Sequence, residues 1–387
     1  MTGYRAYLDY NASAPLLSEA RTAMLAALDR SANPSSVHGE GRNARRIVED
    51  ARREVAALVN TKPDHVVFTS GATEAASTLL TPEWRMGRGD ILMSKLYVSV
   101  ADHPCLLNGG RFPADSVVRI GVDRNGVCDL EALASALSAH DRSEGLPLVA
   151  IHLANNETGV IQPVREIGKI VKNAGGVLVL DAVQAVGRIP LDLSGGLADY
   201  IIISSHKIGG PLGVGALVAA SDLMMPRPLV TGGGQEKGFR AGTENLVGIA
   251  GFGAAARVAR DSLPHVDEIA AMRDRIEETL FSLAPDAAIF GRATTRLANT
   301  TFFAIPGLKA ETAQIGFDLA GVALSAGSAC SSGKVGPSHV LKAMGFDNDG
   351  ALRVSIGRGT TMRDIDLFAA ALSEMLARRA DKTTRAA

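Results

Sequence analysis

Apolar residues along this chain follow two alternating rhythms. In "RNARRIVEDARREVAALVN" (42–60), Ala44, Ile47, Val48, Ala51, Val55 and Leu58 recur at helical spacing. The five arginines of the stretch fall among the remaining positions, which predicts a solvated basic helix face. Elsewhere short, nearly continuous apolar runs end in glycine or polar residues. "HVVFTSGATEAAS" reads as strand, glycine turn and helix start, and "DILMSKLYVSVADHP" as one or two short strands. "LPLVAIHLANNETG", "VLVLDAVQAVG" and "DYIIISSHK" read as strands, with a helix at "VREIGKIVKNAGG". Such runs between helices predict an α/β class, with a mainly parallel sheet covered by helices on both faces. This larger domain is expected to span residues 15–259.

After "LVGIAGFGAAARVARDSL" the pattern changes. "RLANTTFFAI", "KAETAQIGFDLA", "VALS" and "ALRVSIG" predict a smaller α+β domain, formed by 1–14 and 260–387. It closes with the helix "MRDIDLFAAALSEML", whose Ile365, Phe368, Leu372 and Met375 share a face.

Composition narrows the functional classes. The chain has 387 residues, ample for two domains, and 40 Lys+Arg against 41 Asp+Glu give a net charge of −1. That balance offers no strong field for nucleic acid or an anionic membrane. No run approaches the roughly 18 apolar residues of a membrane span. The start "MTGYRAYLDYNASAP" lacks the apolar core of a signal peptide. Cys105, Cys128 and Cys330 are odd in number and widely spaced, which suits a reducing compartment, so the expected location is the cytoplasm.

The polar residues that close the strands carry the chemistry. In an open parallel sheet, ligands bind at the carboxyl ends of the strands. Here those ends carry Ser70-Gly71-Ala72-Thr73, Asn155-Asn156, Asp181 with Gln184 behind it, and Ser204-Ser205-His206-Lys207. The loop "SVADHP" adds His103. Gly71-Ala72-Thr73 before a helix offers free backbone N–H groups and a hydroxyl, a seat for phosphate, and Ser204 and His206 add donors. Asp181 closes an apolar strand and needs a cationic partner or hydrogen bonds, such as a pyridinium nitrogen. Lys207 suits a Schiff base with an aldehyde. Phosphate, pyridinium and aldehyde together describe pyridoxal 5′-phosphate. The blander alternatives are a solvated strand end for Lys207, a helix cap for Asp181 and a turn pair for Asn155-Asn156. "GGPLGVG" matches a nucleotide-binding loop only loosely, with no acidic residue suitably placed.

A second feature is "VALSAGSACSSGKVGPSH", where every residue from Ser325 to Ser332 is small. Cys330 lies within it, without the bulky neighbours of a core cysteine. This predicts a thiol that swings between a site and an acceptor, with Lys334 favouring the thiolate. No metal-ligand spacing surrounds it.

Taken together, "SSHKIGGPLGVGAL", "LDAVQAVGRIPLDL", "HLANNETGVIQPV", "SGATE", "GGGQEKGFRAGTEN", "SAGSACSSG", "LDYNASAPL" and "SANPSSVHGEGR" resemble the group I cysteine desulfurases of the NifS/IscS type, in the class V aminotransferase family. The resemblance runs from about residue 7 to the final helix. It implies a fold-type I pyridoxal-phosphate enzyme, a homodimer, that converts L-cysteine to L-alanine and leaves a persulfide on Cys330. By position, Lys207 would carry the cofactor and Asp181 would pair its ring nitrogen, with Gln184 at the ring 3-oxygen and His103 stacked on the ring. Ala72, Thr73, Ser204 and His206 would bind phosphate, with Thr243 reaching in from the other subunit. Asn156 and Arg353 would hold the substrate carboxylate.

The family also implies a sulfur acceptor or an iron–sulfur scaffold partner, on which Cys330 would briefly help to ligate a cluster. The text between Thr73 and His103 departs from the family. So does the ending soon after the last helix, which points towards a nitrogen-fixation or otherwise specialised member. The alternative enzyme is a selenocysteine lyase or a related pyridoxal-phosphate aminotransferase or lyase.

Overall fold

The computed structural model of the chain describes residues 3–30, 32–327, 338–346 and 351–386, with backbone alone from 380 onward. Cys330 and Lys334 lie outside the described residues.

The apolar runs form a nine-stranded sheet. Its path runs Met224–Pro226, Glu83–Met86, Gly89–Ser99, Leu146–His152, Val177–Asp181, Tyr200–Ser204, Gly215–Ala219 and Val66–Thr69, with Val117–Ile120 also paired to Gly89–Ser99. The centre is parallel, from Gly89–Ser99 through Leu146–His152 and Val177–Asp181 to Tyr200–Ser204. The flanks are antiparallel, which the apolar runs alone do not indicate.

Alternate residues of the central strands enter two separate cores. Leu178, Leu180, Ile201 and Ile203 pack beneath the helices Gly39–Leu58, Val164–Asn173 and Leu246–Ser262. Val177, Val179, Tyr200 and Ile202 pack with Ala75, Ala76 and Leu79 of the helix Ala72–Leu79. Burial on both faces explains why these strands read as continuous apolar runs.

One strand reversal determines where the site forms. Gly215–Ala219 runs antiparallel both to Tyr200–Ser204 and to Val66–Thr69, so the latter two point the same way. Thr69 and Ser204 both lie opposite Gly215, and the turn after Val66–Thr69 therefore opens on the edge that carries Ser204. A Cβ at Gly215 would lie 2.7 Å from the Gly71 carbonyl carbon. Only glycine lets that turn lie so close to the sheet.

A second sheet orders Ala288–Ile289, Thr300–Ala304, Leu352–Ser355 and Ser325–Ala326, all antiparallel. It shares a core with the helices Val266–Leu283, Ala310–Leu319 and Met362–Ala386. Ile365, Phe368 and Leu372 of the last helix are buried there, and Phe317 stacks on Phe368 at 5.3 Å. Near the amino terminus, Ala6–Tyr7 pairs with Val322–Ala323 and Asp9 bridges Ser355. Residues 10–13 then cross from this second layer to the carboxyl edge of the large sheet, where Ala14 N–H donates to the His206 carbonyl.

One expectation is corrected. The helix Gly39–Leu58 does bury Ala44, Val48, Ala51, Val55 and Leu58, but Arg52 is buried with them rather than solvated. Its guanidinium makes two 2.7 Å bonds to the Glu236 carboxylate and sits 4.9 Å from the Phe68 ring centroid.

Candidate active site

Asp181 ends its strand with 7% of its surface exposed. Its Oδ1 accepts the Val183 N–H at 3.0 Å, so one oxygen does cap the following turn. Among the described residues its Oδ2 meets only the Cys105 thiol, at the long distance of 3.9 Å. Burial pushes the Asp181 carboxyl upward, while His103 and His152 pull it back towards the charged form. His103 caps the short helix Pro104–Leu107, and its Nδ1 accepts the Cys105 N–H at 3.2 Å. A ring nitrogen that accepts carries no proton, so with this bond in place the N–H of the ring is on Nε2.

The turn at Ser70-Gly71 opens the helix Ala72–Leu79. Gly71 caps it without a side chain, so the first-turn N–H groups, including those of Ala72 and Thr73, have no intrahelical acceptor. Glu74 braces the turn from behind: its carboxylate accepts Ser70 N–H at 2.8 Å and Arg240 Nε–H at 2.9 Å. Such a terminus attracts anions. On the neighbouring strand, Ser204 is buried at the same edge. His206 is half-buried, with Nδ1 3.3 Å from Ser13 Oγ, and burial together with the adjacent Lys207 pushes its pKa down to about 4. Lys207 Nζ donates to the carbonyls of Asn11 at 2.6 Å and Ala12 at 2.9 Å.

Arg353 enters from the second sheet and is 1% exposed. One arm donates to the Asn156 carbonyl at 2.9 Å and the other to Asp9 Oδ1 at 2.8 Å. Among the described residues its Nε is buried without a partner. A buried unspent donor on a cation is an invitation to an anion. Gln184 is buried one turn beyond Asp181, and its Nε2 donates to the Asn11 carbonyl at 2.9 Å.

Thus Asn156, Gln184, Lys207 and Arg353 are joined in one hydrogen-bonded cluster, and Asp181, His103, Ser204, His206 and the Ala72–Thr73 turn line the same sheet edge. Thr243 is exposed in the single chain and is not part of that cluster among the described residues. Among the described residues no group of three or more His, Cys, Asp or Glu side chains is placed to hold a metal ion.

The sequence reading missed the residue that ties this cluster together. Asn11 is fully buried. Its carbonyl accepts from Lys207 and Gln184, and its Oδ1 from Arg188 and Asn299. Its Nδ2 donates to the Asn156 carbonyl and Thr300 Oγ1. Asp102 was missed as well. Its carboxylate accepts Ser99 N–H and His152 Nδ1–H, and its carbonyl lies 2.9 Å from His339 Nε2. Gln162 faces His152 Nε2 at 3.0 Å, while its own Oε1 is held by Cys128 N–H. A polar residue in the "LDYNASAP" stretch was the available signal for Asn11, but its partners lie far away in sequence.

The chain has relatives over nearly its full length. The family model for class-V aminotransferases matches residues 6–368. A cysteine desulfurase of Trichormus azollae is 38% identical over 96% of this chain and 93% of its own length. One from Cereibacter sphaeroides is 38% identical over 94% and 93%. The solved NifS-like protein from Rickettsia africae superposes with a TM-score of 0.87 at 32% identity, covering 97% of this chain and 100% of that one. With a cluster of anion-attracting groups at the carboxyl edge of a mainly parallel sheet, and with these relatives over nearly its full length, the chain belongs to the class-V aminotransferase family, among its cysteine desulfurases.

Proposed function

We propose that the chain removes sulfur from L-cysteine, using pyridoxal 5′-phosphate held on Lys207, and passes the sulfur to Cys330. One observation carries this reading. A buried carboxylate whose second oxygen has only a long thiol contact among the described residues ends one strand, an amine follows the next, and an uncapped helix terminus opens on the same sheet edge. Those residues fit the cofactor. Asp181 Oδ2 suits a protonated ring nitrogen, and Gln184 suits the ring oxygen. Ala72, Thr73, Ser204 and His206 suit the phosphate, with Thr243 supplied by a second copy in a homodimer. His206, with its pKa near 4, is neutral at physiological pH and offers a polar contact without a charge.

When bound, the cofactor supplies an electron sink conjugated to the substrate's Cα. The chain's residues do the rest. Arg353, with its free Nε, and Asn156 hold the substrate carboxylate. Lys207 Nζ takes the Cα proton and returns one, and His103 Nε2 is the nearby group that can exchange a proton. The Cys330 thiolate attacks the substrate's sulfur. The carbon–sulfur bond breaks, a sulfur–sulfur bond forms, and the electron pair left on Cβ takes a proton to give L-alanine. The persulfide then passes to a sulfur acceptor or iron–sulfur scaffold in the cytoplasm, where Cys330 would also serve as a transient cluster ligand. The larger domain corresponds to 15–259, and the smaller, which carries Cys330, to 1–14 with 260–387.

The test is reduction of the loaded protein with borohydride followed by peptide mapping. The cofactor is expected on Lys207. A label on another lysine, or none, overturns the assignment.

A further inference from the structure

Arg188 is the most unusual charge in the cluster. Its Nη1 donates to Gln184 Oε1 at short range, to Asn11 Oδ1 at 2.9 Å and to the Gln184 carbonyl at 3.2 Å, and its Nη2 reaches the Tyr10 carbonyl at 3.4 Å. Every one of these acceptors is neutral. Among the described residues no carboxylate forms an ion pair with it, and the charge acting on it most strongly is that of another cation, Arg353. Burial and Arg353 push its pKa down to about 9. The residue is half-buried, and a neutral side chain there would avoid the cost of partly desolvating a guanidinium with no carboxylate partner among the described residues. A cation kept under these conditions suits an anion that arrives with a ligand.

Its contacts also settle how Gln184 is oriented. An amide offers one oxygen and two N–H donors. The oxygen is held by Arg188, and one N–H is spent on the Asn11 carbonyl. Turning the amide over would set its NH2 against the guanidinium and its oxygen against the Asn11 carbonyl, two repulsive contacts at once. Gln184 therefore has only an N–H left to offer the pocket.

We propose that Arg188 is a positioning residue for the cofactor: it locks Gln184 as a donor towards the ring oxygen and conveys positive charge to that oxygen through the amide. This rests on the cofactor reading given above. The chemical consequence has a definite sign. A donor and a nearby cation favour whichever form of the bound cofactor has lost a proton, so they lower the pH at which its visible absorption changes.

The experiment is a pH titration of the visible band of the cofactor-loaded protein, alongside thermal unfolding. Arg188→Met is expected to raise the midpoint by about one pH unit. Arg188→Lys keeps the charge but cannot fork between Gln184 and Asn11, so it should raise the midpoint by less, and it carries the test if the methionine variant does not fold. In a Gln184→Ala background, Arg188→Met should add little further shift. An unchanged midpoint in the Arg188 variants, even with a lower unfolding temperature, overturns the proposal and leaves a structural role only. An equal shift with and without Gln184 also overturns it, because the charge would then act directly. A wild-type protein with no titrating visible band counts instead against the cofactor reading itself.

Discussion

Removing Glu236 should be among the most damaging single changes outside the pocket. Its side chain is 2% exposed and that of its partner Arg52 is 7% exposed. The pair is bidentate, with both bonds at 2.7 Å, and Glu236 Oε2 also accepts the Phe68 N–H at 2.8 Å. Glu236→Ala would leave the buried guanidinium only a 3.3 Å ion pair with the partly exposed Glu49, which costs about 3 kcal/mol. It would also orphan the Phe68 N–H, at about 1–3 kcal/mol. The two penalties share one carboxylate, so a total of about 4–6 kcal/mol is the reasoned figure. In Arg52→Met with Glu236→Leu both charges are gone, and what is lost is the Phe68 N–H acceptor and the Arg52 bond to the Val66 carbonyl, so the double variant should lose only about 1–3 kcal/mol. The assay is urea unfolding at fixed cofactor occupancy, followed by fluorescence. The chain has a single tryptophan, Trp84, fully buried in the same sheet, so one probe reports one region. A loss below about 1 kcal/mol for Glu236→Ala would place the pair with solvent-screened surface bridges and refute the reasoning. So would a double variant less stable than the single.

Three further outcomes are expected. His206 is neutral in the fold down to about pH 4, whereas its unfolded form takes a proton near 6.5. The unfolded state therefore binds more protons between those values, and stability falls as pH drops through the window; His206→Gln should flatten that part of a stability-against-pH curve. Burial pushes the Cys128 thiol up to about 12 and, with the negative charge of Asp181, pushes Cys105 up as well. Neither should react with a thiol reagent at neutral pH until the chain unfolds, and a labelled Cys105 or Cys128 peptide from the native protein would contradict this. Asn11→Ala should lower kcat with L-cysteine at least tenfold, because its side-chain amide holds Arg188, Asn299 and the Asn156 carbonyl and so fixes the main-chain carbonyl that Lys207 and Gln184 share; steady-state kinetics with near-normal kcat would remove its assigned importance.

Much of the scaffold was legible because the central strands are buried on both faces and cannot hide their apolar runs. Gly215–Ala219 escaped notice because it follows a glycine-rich loop that resembles a turn, and its antiparallel direction depends on distant partners. The same division holds at the site. Asp181, Gln184 and Lys207 stood out because polar groups ending buried strands demand partners. Asn11 and Arg188 did not, because their bonds join residues 173 and 177 positions apart. Arg52 read as solvated because helical spacing shows which face an arginine occupies, not that a carboxylate from a distant loop meets it there.

The most direct measurement is a single turnover of the loaded protein with isotopically labelled L-cysteine, followed by mass analysis of the Cys330 peptide and assay of alanine. The account predicts one labelled sulfur on Cys330 for each alanine formed, and neither product in Cys330→Ala. Alanine released at the wild-type rate from Cys330→Ala, or labelled sulfur found on another cysteine, would contradict it.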